Sequence, residues 1–157
     1  NRKELSFFAK RIPNAIVQEY VNGDEFTCDV YVDFDMKVRC VVPRKRIEVR
    51  SGEVSKGQVV KNQHIISEAS KVVEKLGSGP GGITFQLFLT SDDRIKVIEV
   101  NPRFGGGAPL SIKAGANFPA WILRELVGKG LRNIRFDNFK DNLIMLRYDG
   151  EVWLENS

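Results

Sequence analysis

The stretch Ile83–Gly107, ITFQLFLTSDDRIKVIEVNPRFGGG, constrains the fold more than any other part of the chain. Ile83, Phe85, Leu87 and Leu89 alternate with Thr84, Gln86 and Thr90, the period-two pattern of a half-buried strand. Gln86 therefore points away from the core. A second strand follows over Ile95–Asn101, and a four-residue loop Ser91-Asp92-Asp93-Arg94 sets Thr90 opposite Ile95 and Gln86 opposite Glu99. Asn101, two residues further on, shares the face of Glu99 because side chains alternate across the pleat. Opposed Cβ atoms lie roughly 4.5–5.5 Å apart, so two amide oxygens and a carboxylate converge within reach of one small ion. Oxygen donors of modest total charge suit Mg²⁺, which keeps waters and shares its other positions with phosphates. A polar outer face on an ordinary hairpin is the plainer reading, but such a face seldom gathers Glu, Asn, Pro, Arg and three consecutive glycines.

With 157 residues, 42% of them hydrophobic, the chain suits one domain with a core of its own and is not a disordered polymer. No apolar run is long enough to span a membrane, and NRKELSFFAKRIPN lacks the apolar centre of a signal peptide, so the expected setting is cytoplasmic. Cys28 and Cys40 lack metal-ligand spacing and sit in strand patterns, where reduced, buried thiols are expected. The net charge of +4 is locally concentrated at Arg44-Lys45-Arg46 and Arg50. Without interleaved aromatics or a nucleic-acid motif, that patch suits a small anion, a phosphate or an acidic substrate, better than nucleic acid.

A short helical pattern over residues 1–14 stops at Pro13. Ala15–Val21 reads as a short apolar strand closed by Asn22-Gly23-Asp24. Phe26, Cys28, Val30 and Val32 then face Met36, Val38, Cys40 and Val42 across a loop around Phe34, a register that pairs Cys28 with Cys40 and Asp29 with Arg39. Pro43–Lys61 reads as basic loop with one further strand over residues 46–49. Asn62 caps a helix with Ile65, Ile66, Ala69, Val72, Val73 and Leu76 at helical spacing, ended by Gly77. His64 lies in its first turn, where a structural or exposed role is expected. Gly77–Gly82 lacks a following Lys-Ser/Thr and leads into a strand, which excludes a Walker loop. Helices are expected over Ala108–Lys113 and from Asn117, and a hairpin over Leu143–Tyr148 and Glu151–Leu154 around Asp149-Gly150.

The runs ITFQLFL, IEVNPRFGGG and KAGANFP resemble the end of an ATP-grasp ligase core, in the manner of the ATP-binding halves of the carbamoyl-phosphate synthase large subunit. The resemblance implies an α+β fold, an antiparallel sheet with flanking helices, forming the C-terminal portion of an ATP-grasp domain. Residues 16–130 would be its recognisable core and 131–157 a C-terminal hairpin extension of the same single domain. It further implies ATP and Mg²⁺ (or Mn²⁺) as cofactors. Glu19 and Val21 would meet the adenine edge through their backbone, with Gln18 near the exocyclic amine and Glu25 on the ribose hydroxyls. Gln86, Glu99 and Asn101 would hold the metal, and Arg103 would clamp phosphate or acyl-phosphate oxygens. Arg46, Arg50, Lys56, Gly105 and Gly106 would face a small carboxylate substrate. The reaction implied is carboxylate activation as an acyl phosphate, captured by an amine or similar nucleophile. The family's smaller ATP-binding subdomain, with its glycine-rich lid and lysine, would precede Ile16, so the chain reads as part of a longer ligase and as inactive alone. A noncatalytic module that keeps the fold for anion or partner recognition is the alternative.

Overall fold

The computed structural model describes residues 1–155. Its elements run α1 (Arg2–Ala9), β1 (Gly23–Val32), β2 (Val38–Arg50), β3 (Glu53–Val59), α2 (Gln63–Leu76), β4 (Gly81–Thr90), β5 (Ile95–Asn101), α3 (Ala108–Ala114), α4 (Phe118–Leu126) and β6 (Ile144–Leu146). The strands form one antiparallel sheet in the order β5-β4-β1-β2-β3-β6, with α2, α3 and α4 packed against it, the expected α+β class.

Helix boundaries follow local chemistry. The Asn62 side chain accepts from the Ile65 amide at the start of α2, and Gly77 ends it at φ 62°, where a Cβ would be strained. The face of α2 carrying Ile65, Ala69 and Val73 packs on Phe26, Cys28, Val30, Val41, Phe85 and Leu87. On the other side of the sheet, Leu110, Phe118 and Trp121 cover Tyr31, Cys40, Val42 and Val59. Each large side chain buried this way contributes about 1.5–3 kcal/mol.

Cover on both faces overturns the expected β1–β2 register. Cys28 pairs with Pro43 and Asp29 with Val42, so Cys28 is not opposite Cys40, nor Asp29 opposite Arg39. The expectation placed both even-numbered apolar sets on one face. The even residues of β1 instead face α2, while Cys40 and Val42 face α3 and α4. A sheet with two buried faces accepts that arrangement, because neither apolar set is exposed. The loop itself is short: Asp33 N–H donates to Lys37 O at 3.0 Å, and Met36 takes φ 64°.

The β4–β5 hairpin has the same turn. Thr90 N–H donates to Arg94 O and Asp93 takes φ 59°, giving a three-residue loop where four residues were expected. Leu89, not Thr90, therefore lies opposite Ile95. A bulge between Gln86 and Leu87 then leaves Ile98 without a partner, and Gln86 regains Glu99.

Three further expectations fail. Ala15–Val21 is not a strand: among the described residues no strand pairs with it, and Ile16 and Tyr20 are exposed. Residues 43–61 are mostly ladder, because Arg44–Arg50 pairs with Glu53–Val59 around a turn at Ser51-Gly52. At the C-terminus only Ile144–Leu146 forms a strand, and it joins β3. Residues 151–155 are exposed coil and close no hairpin; 156–157 lie outside the described residues.

Among the described residues, one ion pair has both side chains buried in the sheet. Arg44, with 1% of its side chain exposed, donates from Nε and Nη2 to the two carboxylate oxygens of Asp29 at 2.7 and 2.9 Å. Ser111 of α3 donates its hydroxyl to the same carboxylate. Replacing Asp29 by Ala leaves a buried, uncompensated guanidinium and is expected to cost about 3–5 kcal/mol in urea denaturation. A loss under about 1 kcal/mol, the range of an exposed pair, would contradict this account.

Both thiols are free and buried. Burial, the leading cause, pushes the Cys40 thiol up to about 12 and raises Cys28 as well. Folded values above the ordinary thiol value of 9.0 mean that the stability linked to these groups is complete below that pH and declines as pH rises beyond it. A thiol reagent at mildly alkaline pH should label neither cysteine in the folded chain and both in denaturant. Rapid labelling of the folded chain would contradict the buried placement.

Candidate functional site

Register assembles the site. Glu99 of β5 pairs with Gln86 of β4, Gln86 with Thr27 of β1, and Thr27 with Arg44 of β2, so four polar residues form one row across four strands. Partners in antiparallel pairs share a face, and neighbouring strands lie about 4.8 Å apart. In the next row Asn101 pairs with Thr84 and Thr84 with Asp29, while Arg46 follows Arg44 on the same face of β2. Helix α3 covers the Asp29 end of these rows. The Gln86 and Glu99 end stays open.

A pocket of about 310 Å³ lies on this face, lined by Thr27, Arg44, Arg46, Glu53, Thr84 and Gln86, with Glu99, Arg103 and Gly105–Gly107 closing it. Gln86 Nε2 and Asn101 Nδ2 both donate to Glu99 Oε1, at 2.7 and 2.8 Å. Arg46 Nη1 donates to Gln86 Oε1 at 3.0 Å and meets Glu25 Oε1 at 2.9 Å, and its Nη2 reaches Gly52 O. Thr84 donates to the Arg103 carbonyl at 2.8 Å, which fixes the exit of β5 and aims the glycine segment back over the sheet. Gly107 is required there: a Cβ would stand 2.0 Å from Arg44 Nη1. At Gly106 a Cβ would come within 3.1 Å of Glu53 Oε2, and at Gly105 within 3.0 Å of Thr84 Oγ1.

The remaining candidates lie elsewhere. Glu19 and Val21 line a separate pocket with Tyr20, Asn22, Thr90 and Lys96. The ion pair between Lys96 and Glu19, 2.7 Å long, lowers the Glu19 carboxyl below its usual range. Gln18 is exposed in the same unpaired segment. Glu25 belongs with Arg46, at the edge of the main pocket. Arg50 and Lys56 do not enter that pocket: both hold Glu48, at 3.0 and 2.6 Å. Together with Ser55 they depress the Glu48 carboxyl to about 2, the Lys56 hydrogen bond being the largest cause.

Sequence reasoning placed Arg44 only in a basic patch and did not select Thr27, Thr84, Asp29 or Ser111. The alternation Arg44-Lys45-Arg46 carried a signal, since in a strand it sets Arg44 and Arg46 on one face and Lys45 on the other. Lys45 does turn away, to Asp24 at 2.6 Å.

Comparison with known proteins supplies the family. The sequence model described as "ATP-grasp in the biosynthetic pathway with Ter operon" matches residues 11–146. The chain belongs to this ATP-grasp family. No curated protein matches it. Among solved structures, this ATP-grasp chain is similar to the L-amino acid ligase from Bacillus licheniformis, at 21% identity and TM-score 0.57, over 88% of this chain and 37% of that one. It also resembles the biotin carboxylase domain of 2-oxoglutarate carboxylase from Hydrogenobacter thermophilus, in complex with MgADP and bicarbonate, at 17% identity and TM-score 0.59, over 81% and 30%. A third is N5-carboxyaminoimidazole synthetase from Staphylococcus aureus complexed with ADP, at 21% identity and TM-score 0.56, over 73% and 32%. The ATP-grasp chain described here spans about a third of the length of these structures. Among the described residues, no helix is long and apolar enough to cross a membrane.

Proposed function

We propose that this chain is the metal- and phosphate-handling part of a cytoplasmic ATP-dependent ligase that activates a small carboxylate as its acyl phosphate. The observation that carries the reading is the convergence of Glu99, Asn101, Gln86 and Arg103 with three glycines on the polar face of an ATP-grasp sheet. MgADP and bicarbonate in the Hydrogenobacter structure support nucleotide, Mg²⁺ and a small carboxylate-like substrate for this fold.

The donor set fits a metal that arrives with the nucleotide. Among the described residues no three His, Cys, Asp or Glu side chains cluster, and the donors that touch one another on β4 and β5 are one carboxylate, Glu99, and the amides of Gln86 and Asn101. That is too little charge to hold a bare ion and suits one shared with phosphates. Glu99 already accepts two hydrogen bonds through Oε1, leaving Oε2 to face the metal. Asn101 supplies its oxygen once its amide turns. Gln86 is the weakest of the three, because its oxygen is taken by the cationic Arg46. When bound, Mg²⁺ would neutralise charge on the β- and γ-phosphates.

Around it the chain's own residues position and screen. Arg103 offers a planar fork to phosphate or acyl-phosphate oxygens, and Gly105 and Gly106 let backbone approach the reacting groups closely. The unpaired segment carrying Gln18, Glu19 and Val21 would take the adenine, its free backbone N–H and C=O groups matching a purine edge, and Glu25 would take the ribose. Arg50 and Lys56 would reach substrate only by leaving Glu48. The rest of the nucleotide's surroundings would come from a second ATP-grasp subdomain.

A noncatalytic binding module is the second reading, favoured by the Arg46–Gln86 contact inside the metal-ligand set. Nucleotide titration separates the two. Affinity for ATP that depends on Mg²⁺ supports the ligase, and equal affinity with and without Mg²⁺ supports the module. In the intact enzyme, Glu99→Ala is expected to lower Mg-ATP-dependent turnover at least about 100-fold, the scale on which loss of a single charge-stabilising group acts. Turnover within a few-fold of the parent would remove Glu99 from this role.

A further inference from the structure

Arg46 stands inside the ligand set that the proposed function assigns to the metal. Its Nη1 donates to Gln86 Oε1 at 3.0 Å, and Gln86 Nε2 donates to Glu99 Oε1 at 2.7 Å, so one amide joins a guanidinium to the metal's carboxylate. Chemistry fixes the direction of that amide. A guanidinium has only donors and a carboxylate only acceptors, so Gln86 between them turns its oxygen to Arg46 and its nitrogen to Glu99. Asn101 likewise turns its nitrogen to Glu99 Oε1, at 2.8 Å. A divalent cation arriving by itself meets a cation on the Gln86 oxygen and an amide nitrogen in place of the Asn101 oxygen. Arg46 is held from two further sides: Nη1 also meets Glu25 Oε1 at 2.9 Å, and Nη2 donates to Gly52 O at 2.9 Å in the β2–β3 turn. Only one of its three partners is charged, and that one, Glu25, is 30% exposed. Nε finds no acceptor among the described residues. A polyphosphate competes well against one partly solvated carboxylate and two neutral oxygens, because charge-assisted bonds are roughly twice as strong as neutral ones.

We infer that Arg46 is a positioning residue that sets the order of binding: it locks Gln86 and Glu99 against a bare divalent cation and yields them to the phosphates of a nucleotide. Metal then enters with nucleotide and not before it. The inference rests on the ligase reading for the metal and for the identity of the anion. One exchange serves both ends of the nucleotide, because Arg46 leaves Gln86 for phosphate and at the same time gives up Glu25, the acid proposed for the ribose. A purely structural brace between β1, β2 and β4 has the same contacts but a different signature. Loss of a brace weakens every ligand alike, whereas loss of this lock strengthens metal binding without nucleotide and weakens it with nucleotide.

The test measures Mn²⁺ binding to the intact enzyme by electron paramagnetic resonance of the free ion, with and without ATP. The parent should bind Mn²⁺ weakly alone and far more tightly with ATP. Arg46→Met, which fills the space without charge or donors, should bind Mn²⁺ alone at least about tenfold more tightly, since a full positive charge two hydrogen bonds from the metal's carboxylate is gone. With ATP it should bind Mn²⁺ at least about tenfold more weakly, the factor for one lost charge-assisted hydrogen bond. Glu25→Gln/Arg46→Met removes both charges of the pair and leaves the net charge as it was. It should show the same gain for Mn²⁺ alone, and it decides the matter if Arg46→Met does not fold. Adding Glu99→Gln should cancel the gain. Parent binding as tight without ATP as with it, no gain for Mn²⁺ alone in these variants, a gain that survives Glu99→Gln, or tighter binding with ATP in Arg46→Met would each overturn the lock. Binding with ATP that Glu99→Gln leaves unchanged in the parent would instead remove the metal reading on which the lock rests.

Discussion

The buried ion pair between Arg44 and Asp29 is the interaction on which the rest of the arrangement depends. Two charges in a sheet interior are tolerable only when each is fully paired. The pair meets that demand by drawing in a third element, since the Ser111 hydroxyl ties α3 to the same carboxylate. Strands β1 and β2 and the first helix after the glycine segment are thus fixed relative to one another at one point. Gly105–Gly107 must pass between them, which sets the backbone of that segment against the guanidinium and gives the pocket its floor. An apolar substitute could pack the space, but it would present no donor there.

The division of the sheet face follows from this point. Toward β3 the face is apolar and roofed by Leu110, Phe118 and Trp121. Toward β5 it carries Thr27, Gln86, Glu99 and Asn101 and stays open. The boundary between the two halves is the row of Arg44, and the pocket lies along it. Membership of the ATP-grasp family, and the fold shared with the ligase and carboxylase structures, accord with a sheet face divided in this manner.

Much of this was legible in the sequence, for reasons that can be named. Asn62 and Gly77 marked the ends of α2 because capping is local chemistry. The pairing of Gln86 with Glu99 was also legible, though through two departures that cancel: the turn is one residue shorter than expected, and the bulge at Ile98 restores the register. Alternation cannot show a bulge, because the residue it adds leaves the pattern intact on either side. The β1–β2 register was illegible for another reason. Cover on both faces lets the even residues of the two strands point in opposite directions, and a helix packed there from much later in the chain leaves no local mark. Residues 43–61 looked like loop because they are basic and contain glycine, yet their charges are neutralised across the ladder by Asp29, Asp24, Glu25 and Glu48. Ala15–Val21 is apolar enough for a strand, but no described strand pairs with it.

The central proposal is that the open half of this face receives the metal and phosphates of the nucleotide. Paramagnetic broadening by Mn²⁺·ATP in an amide-resolved spectrum tests it most directly. The account predicts selective loss of the Glu99, Asn101, Arg103 and Gly105 signals, with α2 and α4 unaffected. Broadening centred on either helix, or none around Glu99 at saturating nucleotide, would contradict it.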